Sequence, residues 1–204
     1  MLLDFNSIYN KYNLNIKGVL HIGAHYGQED QIYRNKNIKN IMYFEPLTKN
    51  FNVLENNVPK GTILHKIALG NEEKKMTMHV ESTNSGMSSS LLKPKHHIVQ
   101  YPHIVFNETE EVDVRRLDDI EFDRNDFNLI NIDVQGFELE VFKGAEKTLE
   151  SVDYIISEIN NTHLYEGGAL IEDLKIFLSK YNFKLVEEDW AGKTWGDGFF
   201  IKIK

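Results

Sequence analysis

Two acidic residues stand directly after short apolar segments of the kind that form buried strands. Glu45 follows Ile41–Phe44, and Asp133 follows Asn128–Ile132. In open α/β sheets, ligands bind outside the carboxyl ends of the strands, and an acid about 20 residues after a glycine turn binds ribose hydroxyls. Glu45 lies 22 residues after Gly23, so we predict that it binds the ribose of a nucleoside cofactor. Asp133 is expected to face the same cleft.

The turn Gly23–Gly27 has the small residues that allow a close backbone approach to a ligand. It lacks the middle glycine of the dinucleotide fingerprint. Nicotinamide dinucleotides and S-adenosylmethionine both use a glycine turn with a distant acid, so the motif alone leaves both cofactors open. Structural alternatives are a turn formed only for packing, a solvated acid at Glu45 and a helix N-cap at Asp133.

A parallel sheet would bring these residues together, and the order of the predicted elements favours one. Apolar segments alternate with helical segments, which is typical of a parallel sheet with helices on both faces. The final two strands are separated by ten residues, too few for a helical crossover, so they should pair antiparallel. We therefore predict an α/β fold with a mostly parallel seven-stranded sheet and a C-terminal antiparallel hairpin. Its strands are Gly18–Ile22, Ile41–Phe44, Thr62–Ala68, Asn128–Ile132, Tyr154–Ile159, Phe183–Glu187 and Gly198–Ile203.

The whole chain, 1–204, is predicted to form one domain. An N-terminal helix is expected within 1–16, and an irregular insertion at 82–110 is expected near the acceptor site. Two further strands, Lys75–Val80 and Glu111–Arg115, flank that insertion. The other predicted helices are Tyr26–Arg34, Leu47–Asn56, Glu138–Leu149 with a break at Gly144, and Leu170–Tyr181.

Composition limits the class of partner. The formal charge is −8, from 31 acidic and 23 basic residues, and this charge repels nucleic-acid backbones and anionic lipids. The absence of cysteine excludes a disulfide scaffold, a thiolate zinc site and a cysteine nucleophile. No signal peptide or membrane-spanning segment is apparent. We therefore expect a cytoplasmic protein with a small-molecule or glycan acceptor, no nucleic-acid or membrane partner, and an oligomeric state that the sequence leaves open.

Several segments, in this order along the chain, resemble the FkbM-type methyltransferase family. The most specific is Asp133–Ala145, which is close to the family pattern ID-x-EG-x-E-x-x-x-L-x-GA. The resemblance covers the chain from about Gly18 to its end. It implies a Rossmann-like class I methyltransferase fold, S-adenosylmethionine as cofactor, and O-methylation of sugar or polyketide hydroxyls. The other matching segments are His21–Gly27, Phe44–Pro46, Ala68–Asn71, Ser88–Leu91 and Trp195–Asp197.

Two residues depart from the family pattern. His21 stands where the family usually has Asp, and Gln135 stands where Glu is usual. A neutral imidazole at position 21 can hydrogen-bond the methionine part of the cofactor without supplying a negative charge. Gln135 keeps an acceptor oxygen and loses a charge. Both departures bear on the substrate and on turnover.

The residues and the resemblance together give a set of candidate site residues. Asp133 is the first candidate for the base that removes the acceptor proton, with His163 and then Glu158 as second choices. No metal is expected, because His21 and His25 flank a turn and His96, His97 and His103 lack a metal-binding motif. The cofactor-binding candidates are His21, Gly23, Ala24, His25, Gly27, Glu45, Pro46, Ala68, Leu69, Ser89 and Asp133, and the substrate-binding candidates are Gln135, Glu158, Asn160 and Trp195.

Two other functions stay open at this stage. A nicotinamide-dependent oxidoreductase would use the same turn and acid, but the missing glycine and the final hairpin disfavour it. A methyltransferase fold that binds a partner or glycan without turnover is the second alternative, because His21 and Gln135 both remove a charge that the family usually has.

Overall fold

A computed structural model describes residues 1–203, which form a seven-stranded sheet beside a three-stranded one. The large sheet has the order β3-β2-β1-β7-β8-β10-β9, with β10 antiparallel to both of its neighbours. This arrangement confirms the predicted fold class. The strands are β1 Gly18–Ile22, β2 Asn40–Phe44, β3 Ile63–His65, β4 Ala68–Leu69, β5 Lys74–Glu81, β6 Phe106–Arg115, β7 Leu129–Ile132, β8 Tyr154–Asn160, β9 Phe183–Ala191 and β10 Trp195–Lys202.

Helices cover both faces of the large sheet, which therefore separates two apolar cores. Alternate residues of one strand face opposite cores: Leu20 and Ile22 of β1 pack in one, and Val19 packs in the other. Because both faces of β1 and β7 are covered, every residue of these strands is buried, and only His21 and Asn131 interrupt their nonpolar sequences. The helices are α1 Phe5–Lys11, α2 Asp30–Asn35, α3 Thr48–Asn57, α4 His96–Gln100, α5 Glu138–Lys143, α6 Glu146–Ser151 and α7 Ile171–Ser179.

The register of the parallel strands places three loops at one edge of the sheet. Ile22 pairs with Phe44 of β2 and with Ile132 of β7, so these strands end together. The residues that follow, Gly23, Glu45 and Asp133, therefore lie along the same edge. No helix among residues 1–203 combines the length and apolar character needed to cross a bilayer.

The third predicted strand is divided between the two sheets. Ile63–His65 pairs with β2 in the large sheet, whereas Ala68–Leu69 pairs with β6 in the small one. The prediction of one strand over Thr62–Ala68 was therefore wrong. The small sheet, with the order β4-β6-β5, was not predicted, because a two-residue strand carries no periodic pattern.

Other boundaries also differ from the predictions. Residues 82–110 are more regular than expected, because they contain α4 and the first part of β6. The final hairpin is longer than predicted, and only residues 192–194 separate its strands. Helix α2 begins at Asp30 rather than at Tyr26, since the residues before it form a turn.

The small sheet packs against the helices of the large sheet where the backbones of Gly70 and Gly144 lie close together. A Cβ on Gly144, between α5 and α6, would lie 1.9 Å from the carbonyl oxygen of Gly70, which follows β4. Only glycine fits such a distance. The break between α5 and α6 therefore allows the small sheet to pack against the helices of the large one.

Candidate active site

A cavity of about 600 Å³ lies at the carboxyl ends of β1, β2 and β7. This volume is within the usual range for small-molecule and cofactor sites. One side is formed by the Gly23 turn, Glu45 and the apolar residues Ala68 and Leu69, and another by Asp133 and Trp195. Most of the predicted site residues therefore share one cavity.

Glu45 is buried at the end of β2 and is held by two backbone N–H groups. Its Oε2 accepts from the His25 N–H at 2.8 Å, and its Oε1 accepts from the Leu47 N–H at 3.0 Å. Burial raises the pKa of Glu45 to about 7, against the lowering effect of these two bonds. The carboxylate is fixed in the cavity wall, and each oxygen retains acceptor capacity for a ribose hydroxyl.

The backbone N–H groups of the Gly23 turn are already bonded to oxygen atoms of the protein. The N–H groups of Gly23 and Ala24 both bond the Phe44 carbonyl, and the Gly27 N–H bonds the Ala24 carbonyl. A Cβ on Gly23, whose φ is +77°, would lie 1.9 Å from the carbonyl oxygen of Asp133. Glycine is therefore required at position 23 to bring the ends of β1 and β7 together.

Asp133 is held by the side chain of Gln135. The Nε2 of Gln135 donates to Asp133 Oδ1 at 2.8 Å and to Glu158 Oε2 at 2.9 Å. Its Oε1 lies 2.8 Å from the Tyr165 hydroxyl, whose single hydrogen can also bond the Ser88 carbonyl at 2.8 Å, so both ends of the amide have polar partners. Gln135 has a φ of +55°, an uncommon conformation that turns the chain sharply after Asp133.

Three carboxylates gather beside this turn. Asp133, Glu138 and Glu158 offer oxygen atoms that lie within 4.8 Å of one another. Burial first, and then the charge of Asp133, raise the pKa of Glu158 well above its usual value. Burial raises the pKa of Glu138 to about 7. Protonation of Glu138 and Glu158, together with hydrogen bonds from the amide of Gln135, therefore reduces the repulsion between these carboxylates.

His21, in β1, is buried in the wall of the cavity. Its Nδ1 lies 3.3 Å from the Tyr33 hydroxyl, which accepts from Asn131 Nδ2 at 2.6 Å. Because that hydroxyl has one hydrogen, it donates to Nδ1, and the ring hydrogen of a neutral His21 is on Nε2. Burial lowers the pKa of His21, so the ring is a neutral donor rather than an acid.

Aromatic side chains form the wall beyond Asp133. Trp195, at the start of β10, donates its indole Nε1 to the Tyr101 hydroxyl at 2.8 Å. Tyr101 follows α4 and also lines the cavity, as do His97 and His103. The predicted insertion therefore contributes directly to this side of the cavity. The three histidines at positions 96, 97 and 103 form no cluster of metal-ligating atoms within the described residues.

The structure brings together most of the predicted site residues but not all. Gly27, Asn160 and His163 do not line the cavity. A Cβ on Gly27 would meet the side chain of Leu54 at 2.7 Å, so this glycine allows packing of α3. His163 is exposed, and its Nδ1 bonds the Gly168 carbonyl at 2.9 Å. The predicted residues that do line the cavity are His21, Gly23, Ala24, His25, Glu45, Pro46, Ala68, Leu69, Ser89, Asp133, Gln135, Glu158 and Trp195.

Sequence reasoning missed two acids in the cavity wall. Glu29 precedes α2, and Asp197 in β10 pairs directly with Glu158 of β8. Asp197 Oδ2 accepts from the Leu3 N–H at 3.1 Å and from the Leu2 N–H. Asp197 is part of the Trp195–Asp197 segment that resembles the family, so the resemblance could have identified it. No sequence pattern distinguishes Glu29 from an exposed acid.

Comparison with known proteins gives one family and one curated relative. The family model described as the methyltransferase FkbM domain matches residues 21–185. The relative, 2-O-methyltransferase NoeI of Sinorhizobium fredii (strain NBRC 101917 / NGR234), is 31% identical over 111 residues. That match covers 51% of this chain and 46% of the relative, so it spans about half of the relative's length.

Similar solved structures support the same fold. Magnesium protoporphyrin IX methyltransferase (ChlM) from Synechocystis PCC 6803, solved with bound SAM, has a TM-score of 0.54 at 7% identity, over 97% of this chain and 76% of that one. The ribosomal protein L11 methylase from Lactobacillus delbrueckii subsp. bulgaricus has a TM-score of 0.53 at 13% identity, with the same coverage of 97% and 76%. At these identities the likeness concerns the fold alone.

Proposed function

The chain belongs to the methyltransferase FkbM domain family, and on this premise we propose that it is an S-adenosylmethionine-dependent O-methyltransferase. Its acceptor is a small hydroxylated molecule, most simply a sugar of a glycan or of a nucleotide-sugar. Similarity to a protein named 2-O-methyltransferase supports transfer to oxygen. The aromatic wall formed by Trp195 and Tyr101 supports a sugar, because ring faces of sugars stack on aromatic side chains.

S-Adenosylmethionine is the cofactor of this family, and the cavity residues fit it. Glu45 would bind the ribose hydroxyls, and the apolar side chains of Pro46, Ala68 and Leu69 would enclose the adenine. The family's usual acid is missing at His21, but Asp197 and Glu29, the latter paired with the Met1 ammonium at 3.7 Å, supply acidic groups in the cavity wall. That charge suits a cofactor with both a sulfonium and an ammonium group.

A nicotinamide dinucleotide fits this site poorly. Its pyrophosphate needs free backbone N–H groups at the glycine turn. In this chain, Gly23, Ala24, His25 and Gly27 all donate their N–H groups to protein oxygens. S-Adenosylmethionine has no phosphate, so it makes no such demand on the turn.

Asp133 is proposed as the base that accepts the proton of the acceptor hydroxyl. The bound cofactor supplies a methyl group that is already activated by the sulfonium, so the protein's main tasks are alignment and proton removal. Gln135 fixes one oxygen of Asp133 at 2.8 Å. Trp195 and Tyr101, in the wall beyond Asp133, would orient the acceptor ring. His163 is set aside as a base, because it lies outside the cavity wall that Asp133 lines.

The observation that carries this proposal is the position of Asp133, which lines the cavity between the Gly23 turn and the aromatic wall formed by Trp195 and Tyr101. The first test is thermal unfolding with S-adenosylhomocysteine and with NAD as the comparison. Ligand at about 100 times its Kd adds about 2.7 kcal/mol, a shift of several degrees for a domain of this size. Only S-adenosylhomocysteine is expected to stabilise the protein.

Methyl transfer to a panel of sugars then tests the role of Asp133. We expect Asp133→Asn to retain S-adenosylhomocysteine binding and to lose at least about 100-fold in kcat, as removal of a general base typically does. Full activity of the folded variant would exclude Asp133 as the base. Cofactor binding without transfer to any acceptor would favour the non-catalytic binding module instead.

A further inference from the structure

The turns around the cavity are closed by the protein's own carboxylates. Glu45 accepts the N–H groups of His25 and Leu47, as described above. Glu138 Oε1 accepts the Val134 N–H at 3.0 Å and the Gly136 N–H at 3.1 Å, in the turn after β7. The turns after β1, β2 and β7 therefore already hold a carboxyl group of the protein.

The serine-rich loop at residues 84–90 is closed in the same way. Glu81, at the end of β5, accepts the Gly86 N–H at 2.9 Å and also the N–H groups of Thr83 and Asn84. Converging backbone N–H groups are the usual binding site for phosphate in α/β proteins. Here a fixed carboxylate occupies each such position, and a phosphate would have to displace it.

The side chains of the cavity wall reinforce this pattern. Within residues 1–203, no lysine or arginine side chain lines the cavity, and the Met1 ammonium, which does line it, is paired with Glu29 at 3.7 Å. The acidic side chains of the wall are Glu29, Glu45, Asp133, Glu158 and Asp197. Protonation of the most buried ones reduces the negative charge but supplies no positive charge. A phosphate brought into this wall would be desolvated next to like charges, which costs several kcal/mol in protein interfaces.

We propose that the acceptor carries no phosphate and no other anionic group, so that it is a neutral or amine-bearing sugar rather than a nucleotide-sugar or sugar phosphate. This proposal rests on the proposed O-methyltransferase function and narrows its substrate class. The cofactor's own carboxylate is compatible with it, because an ammonium group on the same carbon balances that charge. Asn84 and Ser88, which line the cavity, provide neutral hydrogen-bond donors for the carboxylate.

Matched acceptor pairs test the proposal through activity. Methyl glycosides of common hexoses and deoxyhexoses are compared with the corresponding sugar 1-phosphates and nucleoside diphosphate sugars, using labelled S-adenosylmethionine. We expect kcat/KM for the uncharged member of a pair to exceed that of its phosphorylated partner by at least about tenfold. An equal or higher kcat/KM for the phosphorylated member would overturn the proposal.

A binding measurement tests whether the cavity binds a phosphate-bearing ligand, even if no acceptor in the panel is methylated. The protein saturated with S-adenosylhomocysteine is titrated with inorganic pyrophosphate and with UDP, and the indole NMR signal of Trp195 is followed. The Trp190→Phe variant leaves Trp195 as the sole tryptophan, because the chain has two. We expect no saturable change up to about 10 mM, where a site with a Kd of about 1 mM would be about 90% occupied.

Saturable binding of pyrophosphate or UDP, with a perturbed Trp195 signal, would overturn the proposal whatever the acceptor is. Failure of S-adenosylhomocysteine to stabilise the protein would instead contradict the proposed function. In that case the same titration of the ligand-free protein still measures whether the cavity binds anions. The two failures are therefore distinguishable.

Discussion

The side-chain amide of Gln135 donates a hydrogen bond of 2.8 Å to the carboxylate of Asp133. The same nitrogen also donates to the buried Glu158, so a neutral amide lies between two acids. A glutamate at position 135, usual in the family pattern, would place a third carboxylate there. The amide therefore holds the candidate base in place without adding negative charge.

Gln135→Glu is expected to lower kcat by about tenfold or more, equivalent to about 1.4 kcal/mol. The added carboxylate raises the pKa of the cluster through like-charge repulsion. The acidic limb of the kcat profile should therefore move to higher pH. Gln31→Glu, an exposed position on α2, adds the same charge away from the site. An unshifted pH profile in Gln135→Glu would contradict the positioning role.

Glu45→Ala is expected to weaken S-adenosylhomocysteine binding at least about tenfold, or about 1.4 kcal/mol, through the loss of charge-assisted bonds to the ribose. The variant also leaves the His25 and Leu47 N–H groups without their acceptor. A lower free energy of unfolding, by about 1–3 kcal/mol, should accompany the change. Calorimetric titration of the folded variant measures the affinity. Glu55→Ala, exposed on α3, is the control, and equal affinities of the two variants would remove Glu45 from this role.

The free energy of unfolding of the cofactor-free protein should fall as the pH rises from about 5 to 7. Burial raises the pKa values of both Glu45 and Glu138 to about 7, above the ordinary value of 4.5. Between these values the folded state binds protons that the unfolded state has released. Each group can therefore lower the stability by up to about 1.4 kcal/mol per pH unit.

Urea unfolding across this pH range checks the sign, and Glu138→Gln isolates one contribution. The amide cannot titrate, so we expect a shallower decline with pH and a relative gain in stability at pH 7. Glu55→Gln should keep the wild-type slope, because its side chain is exposed. Parallel curves for wild type and Glu138→Gln would show that Glu138 is already ionised in the folded protein at pH 5.

Trp195→Ala is expected to raise the KM for the sugar acceptor by about 2- to 10-fold, since an aromatic contact contributes about 0.5–1.5 kcal/mol. Binding of S-adenosylhomocysteine should stay close to that of wild type. Trp195→Phe keeps an aromatic face but loses the Nε1 donor to Tyr101, so it should recover part of the loss. A larger effect on cofactor affinity than on acceptor KM would place Trp195 on the cofactor side.

The sheet and its functional edge could be predicted because they depend on local patterns. Apolar strands that end at a glycine turn, at Glu45 and at Asp133 place these residues together once the strands are parallel. The small sheet could not be predicted, because β4 has two residues and its partners are distant in sequence. Its existence depends on packing rather than on periodicity.

The partners of the candidate base were also beyond sequence reasoning. Asp197 lies opposite Glu158 only because β10 inserts between β8 and β9. The two bonds from Gln135 Nε2 depend on a positive φ that nothing marks in the sequence, since glutamine rarely adopts it. His163 was assigned from its place after a strand, and the local bond to the Gly168 carbonyl could not be foreseen.

The contact between Gly144 and Gly70 changes what the most specific sequence motif reports. The Asp133–Ala145 block begins at the candidate base, and its second-last residue is Gly144, whose missing side chain lets the small sheet pack against the helices of the large one. One half of the block therefore contains the candidate base, and the other half contains a residue that the packing of the scaffold requires. A chain that lacks Asp133 but keeps the second half of the block would still resemble the motif. Similarity to this motif therefore reports the packing of the fold as well as the presence of the candidate base.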